Sequence, residues 1–269
     1  MNAKTRITLT PEQETLLIPL YTKAQPGNPL FFDPKAQGIL NQVDYDFTRL
    51  RVPYKTVILI CQRAKKMDAV TREFLAEQPT GVVLHLGCGL DSRFWRVDNG
   101  RVEWYDLDML PVIELRRRFF PPSERYHMIA SSVTDLDWVE RIEAAGRPVL
   151  VVAEGLLMYL GEQDVRRLLL CLQEAFPGCR LIADVFSRLT ARSATQHPSL
   201  KQTGAAIGWG IDDPHTIEAW AEGIRLLEEW FFTQDPDLNR LSLGYRLAYR
   251  LAGAFRVVQR AHRIVYYQL

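Results

Sequence analysis

Apolar and polar positions change rhythm twice along the chain. The first 80 residues favour helices: Pro11 follows Thr10, with Gln13 completing a capping-box pattern for a helix over 10–24 that ends or kinks near Pro19. Asp33-Pro34 opens a short helix to about Leu40, and 53–78 reads as two helices whose stripe of Met67, Val70, Phe74 and Leu75 stops before Pro79. From Gly81 the pattern alternates. Apolar runs at 82–86, 102–107, 126–131, 148–153 and 180–186 predict strands, separated by helical or loop stretches such as 162–176, where Val165, Leu168, Leu169 and Leu172 share one side. The run Val149–Ala153 is continuously apolar, as a strand covered on both faces requires. Such alternation predicts an α/β fold with a doubly wound, mostly parallel sheet. Helical patterns at 215–223 and 238–254 and strands at 225–233 and 256–268 close the chain.

Between these lies 187–215, polar and punctuated by Pro198, Gly204, Gly208, Gly210 and Pro214. A long irregular segment directly after a strand suits a lid over a site, or a surface insertion. The division expected is therefore a helical cap over 1–80 and a core over 81–269 carrying that insertion.

Composition narrows the partners. Lys and Arg number 33 against 32 Asp and Glu, so whole-chain charge argues for neither nucleic acid nor a membrane surface. No apolar run is long enough to span a bilayer and the first residues lack a signal-peptide core, so a soluble, cytoplasmic protein is expected. Cys61, Cys88, Cys171 and Cys179 make no C-x-x-C pair, and no histidine has metal-ligand spacing, so reduced thiols and no metal are expected. The spacing of residues does not fix an oligomeric state.

Candidate chemistry collects at strand ends, where parallel sheets bind ligands. The first strand ends in Gly87-Cys88-Gly89, a turn that lets a ligand approach the backbone. The second ends in Asp106-Leu107-Asp108, 17 to 19 residues past Gly89, where an acidic side chain can accept from ribose hydroxyls. Ser131–Asp135 follows the third strand and Glu154-Gly155 the fourth. A pyrophosphate cradle would place a third small residue at position 92, and Ser92 satisfies size. Asp91 beside the turn argues the other way: its carboxylate repels a pyrophosphate but can face an ammonium or sulfonium, which favours S-adenosylmethionine over a dinucleotide. His85 inside the first strand reads more readily as a core residue than as a catalyst.

The ordered set HLGCGLDSRFWR, WYDLDMLPVIELRRRFF and AEGLLMYL, with TLLIPLYTKA and FFDPKA before it and WGIDDPHTIEAWAEGIRLLEE after, resembles the leucine carboxyl methyltransferase family, and most closely its bacterial branch of tetracenomycin-type polyketide O-methyltransferases. The resemblance spans nearly the whole chain. It implies a Rossmann-like class I fold, S-adenosylmethionine as cofactor and O-methylation of a small-molecule acceptor. It also implies roles. Arg63, 11 residues before Phe74-Leu75, takes the position that binds the cofactor's methionine carboxylate. Asp108 takes the ribose position, although Pro111 stands one place later than the family proline; Asp106 is the reserve, and one of the two aspartates is structural. Counting back from Trp138, Ser132 and Val133 stand where the family has Asp-Leu at the adenine, with Asp135 as a substitute. Glu154 either pairs with a buried cation or faces the cofactor's amino group, and Tyr159 either meets the acceptor or packs in the core. No residue stands out as a general base, which favours a carboxylate acceptor. The alternatives are methylation of a protein C-terminal carboxylate and a non-catalytic cofactor-binding module.

Overall fold

A computed structural model describes residues 5–6, 11–194 and 207–269. Strands β1 (Thr5–Arg6) and β2 (Val43–Asp44) form a small parallel pair, and α1 (Pro11–Lys23), α2 (Pro34–Gln42) and α3 (Tyr54–Glu77) make up the helical first part. Seven strands then form one sheet: β3 (Val82–Leu86), β4 (Glu103–Asp108), β5 (Tyr126–Ala130), β6 (Val149–Ala153), β7 (Arg180–Phe186), β8 (Arg225–Phe231) and β9 (His262–Gln268). Their order is β5-β4-β3-β6-β7-β9-β8. The first five run parallel, and β9 lies antiparallel between β7 and β8. This is a doubly wound, mostly parallel sheet, as the alternating pattern predicts.

Period-two alternation divides the core. Val82, Leu84 and Leu86, with Val149 and Val151, face a cluster built on α6 (Glu162–Ala175). Val83, Leu150 and Val152 face the opposite way, onto Leu17 and Leu20 of α1, Ile39 of α2, and Met67 and Phe74 of α3. The first 80 residues thus share a core with the sheet, which brings their polar side chains to its ligand-binding edge. Remaining helices are α4 (Arg93–Val97), α5 (Leu110–Arg116), α7 (Arg188–Ala194), α8 (Leu243–Gly253) and α9 (Arg256–Ala261).

The strand pattern appears where the sequence puts it from 82 to 186. Three local expectations give way. α1 continues past Pro19 to Lys23, held by Leu17 and Leu20, both buried against the sheet. The two helices expected over 53–78 are one, since no Gly or Pro interrupts Tyr54–Glu77. Residues 256–261 are helical, and β9 begins only at His262. The Thr10 cap and the middle of the 187–215 insertion lie outside the described residues. Of that insertion, α7 leaves the sheet and residues 207–211 return along it: the amides of Gly208 and Trp209 donate to the Met158 carbonyl, and that of Ile211 to Phe186.

Candidate functional site

The sheet order reverses between β3 and β6, and a cleft of about 380 Å³ opens beyond the carboxyl ends of those two strands. Its polar wall comes from Lys23, Arg63, His85, Asp91 and Glu154, its floor from Gly87–Leu90, and its apolar wall from Leu16, Leu20, Met158, Tyr159 and Phe186.

The floor is a turn whose glycines have left-handed φ, 63° at Gly87 and 52° at Gly89. A Cβ on Gly87 would also stand 3.0 Å from the Leu156 side chain. The turn is tied to β4, because the amides of Gly87 and Cys88 donate to the Leu107 carbonyl and that of Gly89 to Asp108 Oδ2 at 2.8 Å. The amphipathic segment that follows becomes the five-residue α4, so the approach to a ligand belongs to the turn itself rather than to a long helix.

Beneath the polar wall runs a buried charge network. Arg93 Nε donates to Asp68 Oδ1 at 2.8 Å, and its Nη2 is ion-paired with Glu154. Arg96 reaches Asp33, Asp68 and Asp91, each at 2.7 Å. Asp33 caps α2 and Asp68 lies on α3, so these ion pairs fasten the N-terminal helices to the loop after β3. Breaking one side of such a pair is far costlier than its net contribution would suggest, because the partner is left charged and dry.

Arg63 brings a cation to the cleft. It comes from the middle of α3 and lines the cleft, with Nε 3.0 Å from Glu154 Oε1 and Nη1 2.9 Å from Asp184 Oδ2. Gly155, at φ 63°, gives it room: a Cβ there would lie 3.3 Å from both terminal nitrogens. Asp184 also accepts from the Gly155 amide and from His262 at 2.7 Å. Burial would raise the carboxyl pKa of Glu154, but Arg63, Arg93 and Lys23 outweigh it and hold that pKa at about 2. The same competition, with Arg63 and His262 as partners, keeps Asp184 below the ordinary carboxylate range.

Each Glu154 oxygen accepts from a guanidinium, so the carboxylate is paired with buried cations, and it also lines the cleft. Asp91 also departs from expectation. Rather than standing free beside the turn, it is surrounded by Arg96, Lys23 (3.2 Å) and Arg93 (3.3 Å), which override burial and depress its pKa well below normal. Its Oδ2 is buried, 3.3 Å from Arg93 Nη2, and takes no hydrogen bond among the described residues.

The aspartates of β4 separate clearly. Asp106 is fully buried: Oδ1 accepts from His85 Nδ1 and Trp104 Nε1, and Oδ2 from Arg116 and the Tyr126 hydroxyl. As the reserve ribose ligand it is corrected, because no lone pair remains to reach solvent. Asp108, one pleat farther on, accepts only the Gly89 and Met109 amides, one per oxygen, and burial outweighs these to raise its pKa. His85 joins the network as a core residue. Arg93 Nη1, which can only donate, faces its Nε2 at 3.1 Å, so the ring proton sits on Nδ1 toward Asp106.

Ser132, Val133 and Asp135 lie beyond the end of β5, outside the cleft walls. Ser132 Oγ is bonded to Thr134 Oγ1 at 2.8 Å, the Val133 side chain is buried, and Asp135 is exposed. Tyr159 stands 46% exposed at the cleft mouth, away from core packing, and burial of its hydroxyl raises its pKa. Two residues the sequence reading missed are Lys23 and Asp184. Asp184 is a charge inside the apolar stretch 181–185, a signal that could have found it, whereas Lys23 ends a helix that also carries Glu12 and Glu14 and gives no such signal.

Comparison with known proteins agrees with this geometry. The family model described as leucine carboxyl methyltransferase matches residues 19–173. A tetracenomycin polyketide synthesis O-methyltransferase from Streptomyces glaucescens is 41% identical over 237 residues, covering 86% of this chain and 87% of its own. An S-adenosyl-L-methionine-dependent methyltransferase from Gibberella zeae is 29% identical, covering 86% of each. Among solved structures, a DUF574 family protein from Streptomyces avermitilis superposes with a TM-score of 0.62 at 11% identity, over 96% of this chain and 99% of that one. With a matched family model over more than half its length and a relative 41% identical over most of both chains, the chain belongs to the leucine carboxyl methyltransferase family.

Proposed function

We propose that the protein is an S-adenosylmethionine-dependent O-methyltransferase acting on a small, largely apolar carboxylic acid of polyketide type. The observation that carries this reading is the cleft at the β3/β6 reversal, where two cations, Lys23 and Arg63, converge with the Asp91 and Glu154 carboxylates beside the glycine turn. These groups fit the methionine end of the cofactor. Lys23 and Arg63 supply positive charge for its carboxylate, the Asp91 and Glu154 carboxylates negative charge beside its ammonium group, and Asp108 an acceptor on each oxygen for the ribose diol. Ser132 and the backbone around Val133 are the groups nearest the end of β5 for the adenine, with Asp135 on the solvent side.

When bound, the cofactor supplies a methyl group on a positively charged sulfur. The protein's part is alignment and exclusion of water, which can be worth up to ~7–11 kcal/mol of barrier. Met158, Tyr159 and Phe186 form the apolar wall against which an acceptor would lie. Among the described residues of the cleft no side chain offers a free basic lone pair. Glu154 and Asp91 are held by cations, His85 is spent on Arg93 and Asp106, and Tyr159 stays a phenol. An acceptor already ionised at neutral pH needs no base, whereas a phenol would. The Streptomyces relative, named for polyketide synthesis, supports the same acceptor class.

The test is two-part. Calorimetric titration of the pure protein with S-adenosylmethionine should give stoichiometric binding. Incubation with a pool of aromatic acids and the matching phenols should then yield products heavier by one methylene among the acids. Methylated phenols alone would overturn the carboxylate assignment, and no cofactor binding would overturn the whole reading.

A further inference from the structure

α8 is apolar on two opposite sides but packs with only one. At about 100° per residue, Tyr245, Tyr249 and Ala252 share its inner face, where Tyr245 meets Tyr54 of α3 at a ring distance of 5.0 Å. Leu243, Leu247 and Leu251 form a second stripe on the outer face, exposed by 66%, 51% and 64%. α9 and the residue before it extend that surface with Phe255, Val257 and Val258, all about half-exposed or more. Neither helix has a buried residue, so both apolar stripes of the outer face are presented to solvent. Apolar exposure this concentrated marks a surface that meets something.

Charge says what. The whole chain is balanced, yet residues 240–269 hold six arginines and no Asp or Glu. Arg246 and Arg250 follow one border of the leucine stripe, and Arg256 and Arg260 the same border of the valines. All four are exposed, and no ion pair is formed by any of them among the described residues. A second copy seated antiparallel on this surface would bring like arginines together. The chain's own segments 1–10 and 195–206 contain no acidic residue and do not complement it either.

We infer that the α8–α9 hairpin docks on an anionic phospholipid surface, its leucines, phenylalanine and valines entering the acyl boundary and its arginines meeting the headgroups. An exposed apolar stripe with a basic border matches a deformable, negatively charged plane. No helix among the described residues is long and apolar enough to cross a membrane, so the hairpin lies on the surface and does not span it. The position has a use. α9 runs directly into β9 at His262, which pairs with Phe186 in the cleft wall, so a lipid surface under the hairpin would sit at the acceptor end of the sheet.

Sedimentation of the full chain with vesicles tests this without reference to catalysis. Vesicles of phosphatidylcholine with phosphatidylglycerol should carry the protein down at low salt, while phosphatidylcholine alone should carry little. Leu247→Glu with Leu251→Glu should abolish binding. Arg250→Gln with Arg256→Gln should weaken it roughly 30-fold, from about 1 kcal/mol per arginine near an anionic surface. All four positions are exposed, so melting temperature and cofactor binding should stay at the parent values. Three results overturn the inference: no binding to the anionic vesicles, binding that neither double variant changes, or a dimer in analytical ultracentrifugation that the Leu→Glu pair dissolves. Retention on polyglutamate through the same arginines, without vesicle binding, would assign the surface to an acidic protein and overturn it equally.

Discussion

Replacing each aspartate of β4 in turn separates folding from ligand binding. Asp106→Ala removes the only carboxylate facing Arg116, whose guanidinium is fully buried, and leaves Tyr126, Trp104 and His85 without their acceptor. Breaking one side of a buried ion pair costs about 3–5 kcal/mol. A domain of this size is stable by only about 5–15 kcal/mol. With a Tm response of about 2–4 °C per kcal/mol, the melting point should fall by roughly 10 °C or more. Asp108→Ala has the opposite profile. Burial raises its pKa in the folded state, so its ionised form is disfavoured by folding, and that penalty grows as pH rises. Removing it should leave the melting temperature near the parent value at neutral pH. What it should lose is two charge-assisted hydrogen bonds to a ribose, about 1.5–3 kcal/mol each, or roughly two to four decades in Kd. Differential scanning calorimetry and titration calorimetry on the two variants give both quantities. A stable Asp106→Ala protein that fails to bind S-adenosylmethionine, beside a destabilised Asp108→Ala protein that binds it, would refute the argument.

Lys23→Met should raise the cofactor Kd at least tenfold with a modest fall in Tm, because Asp91 keeps Arg93 and Arg96 when the lysine is gone; unchanged binding in calorimetry would remove Lys23 from the site. Acid should unfold the protein through the same network. Glu154, Asp184, Asp91 and Asp106 all have depressed folded-state pKa values, so their stabilisation is fully present above the unfolded values near ~4 and is lost as pH falls toward about 2. Thermal melts should therefore fall steeply between pH 4 and pH 2 (approximate bounds from those shifts). A flat Tm over that interval would mean the carboxylates are not held as the geometry implies.

Much of the fold is legible because it depends on local chemistry. Continuous apolar runs such as Val149–Ala153 suit a strand covered on both sides, and Gly87 and Gly89 adopt φ values that other residues resist. Local pattern was a poor guide at 256–261. Val257 and Val258 read as strand residues, but no neighbouring strand extends past Phe186 to pair with them, and the backbone closes its hydrogen bonds as a helix.

The charged residues of the cleft divide along the same line. Sequence alone determined that a carboxylate follows each of β4 and β6, and that an arginine sits on the helix before the sheet, because these are fixed offsets from an element end. Only the tertiary structure decided what each charge does. Asp106 and Asp108 lie on the same face of β4, two residues apart, and a single pleat puts one against Arg116 and the other at the open edge. Lys23 and Asp91 are distant in sequence and 3.2 Å apart in space. Glu154 could be read from sequence as a partner of a buried cation or as a cofactor contact, and folding brings two arginines from separate elements onto it. Periodicity records which way a side chain points. Whether a buried carboxylate is free or neutralised depends on partners that the chain brings together only on folding.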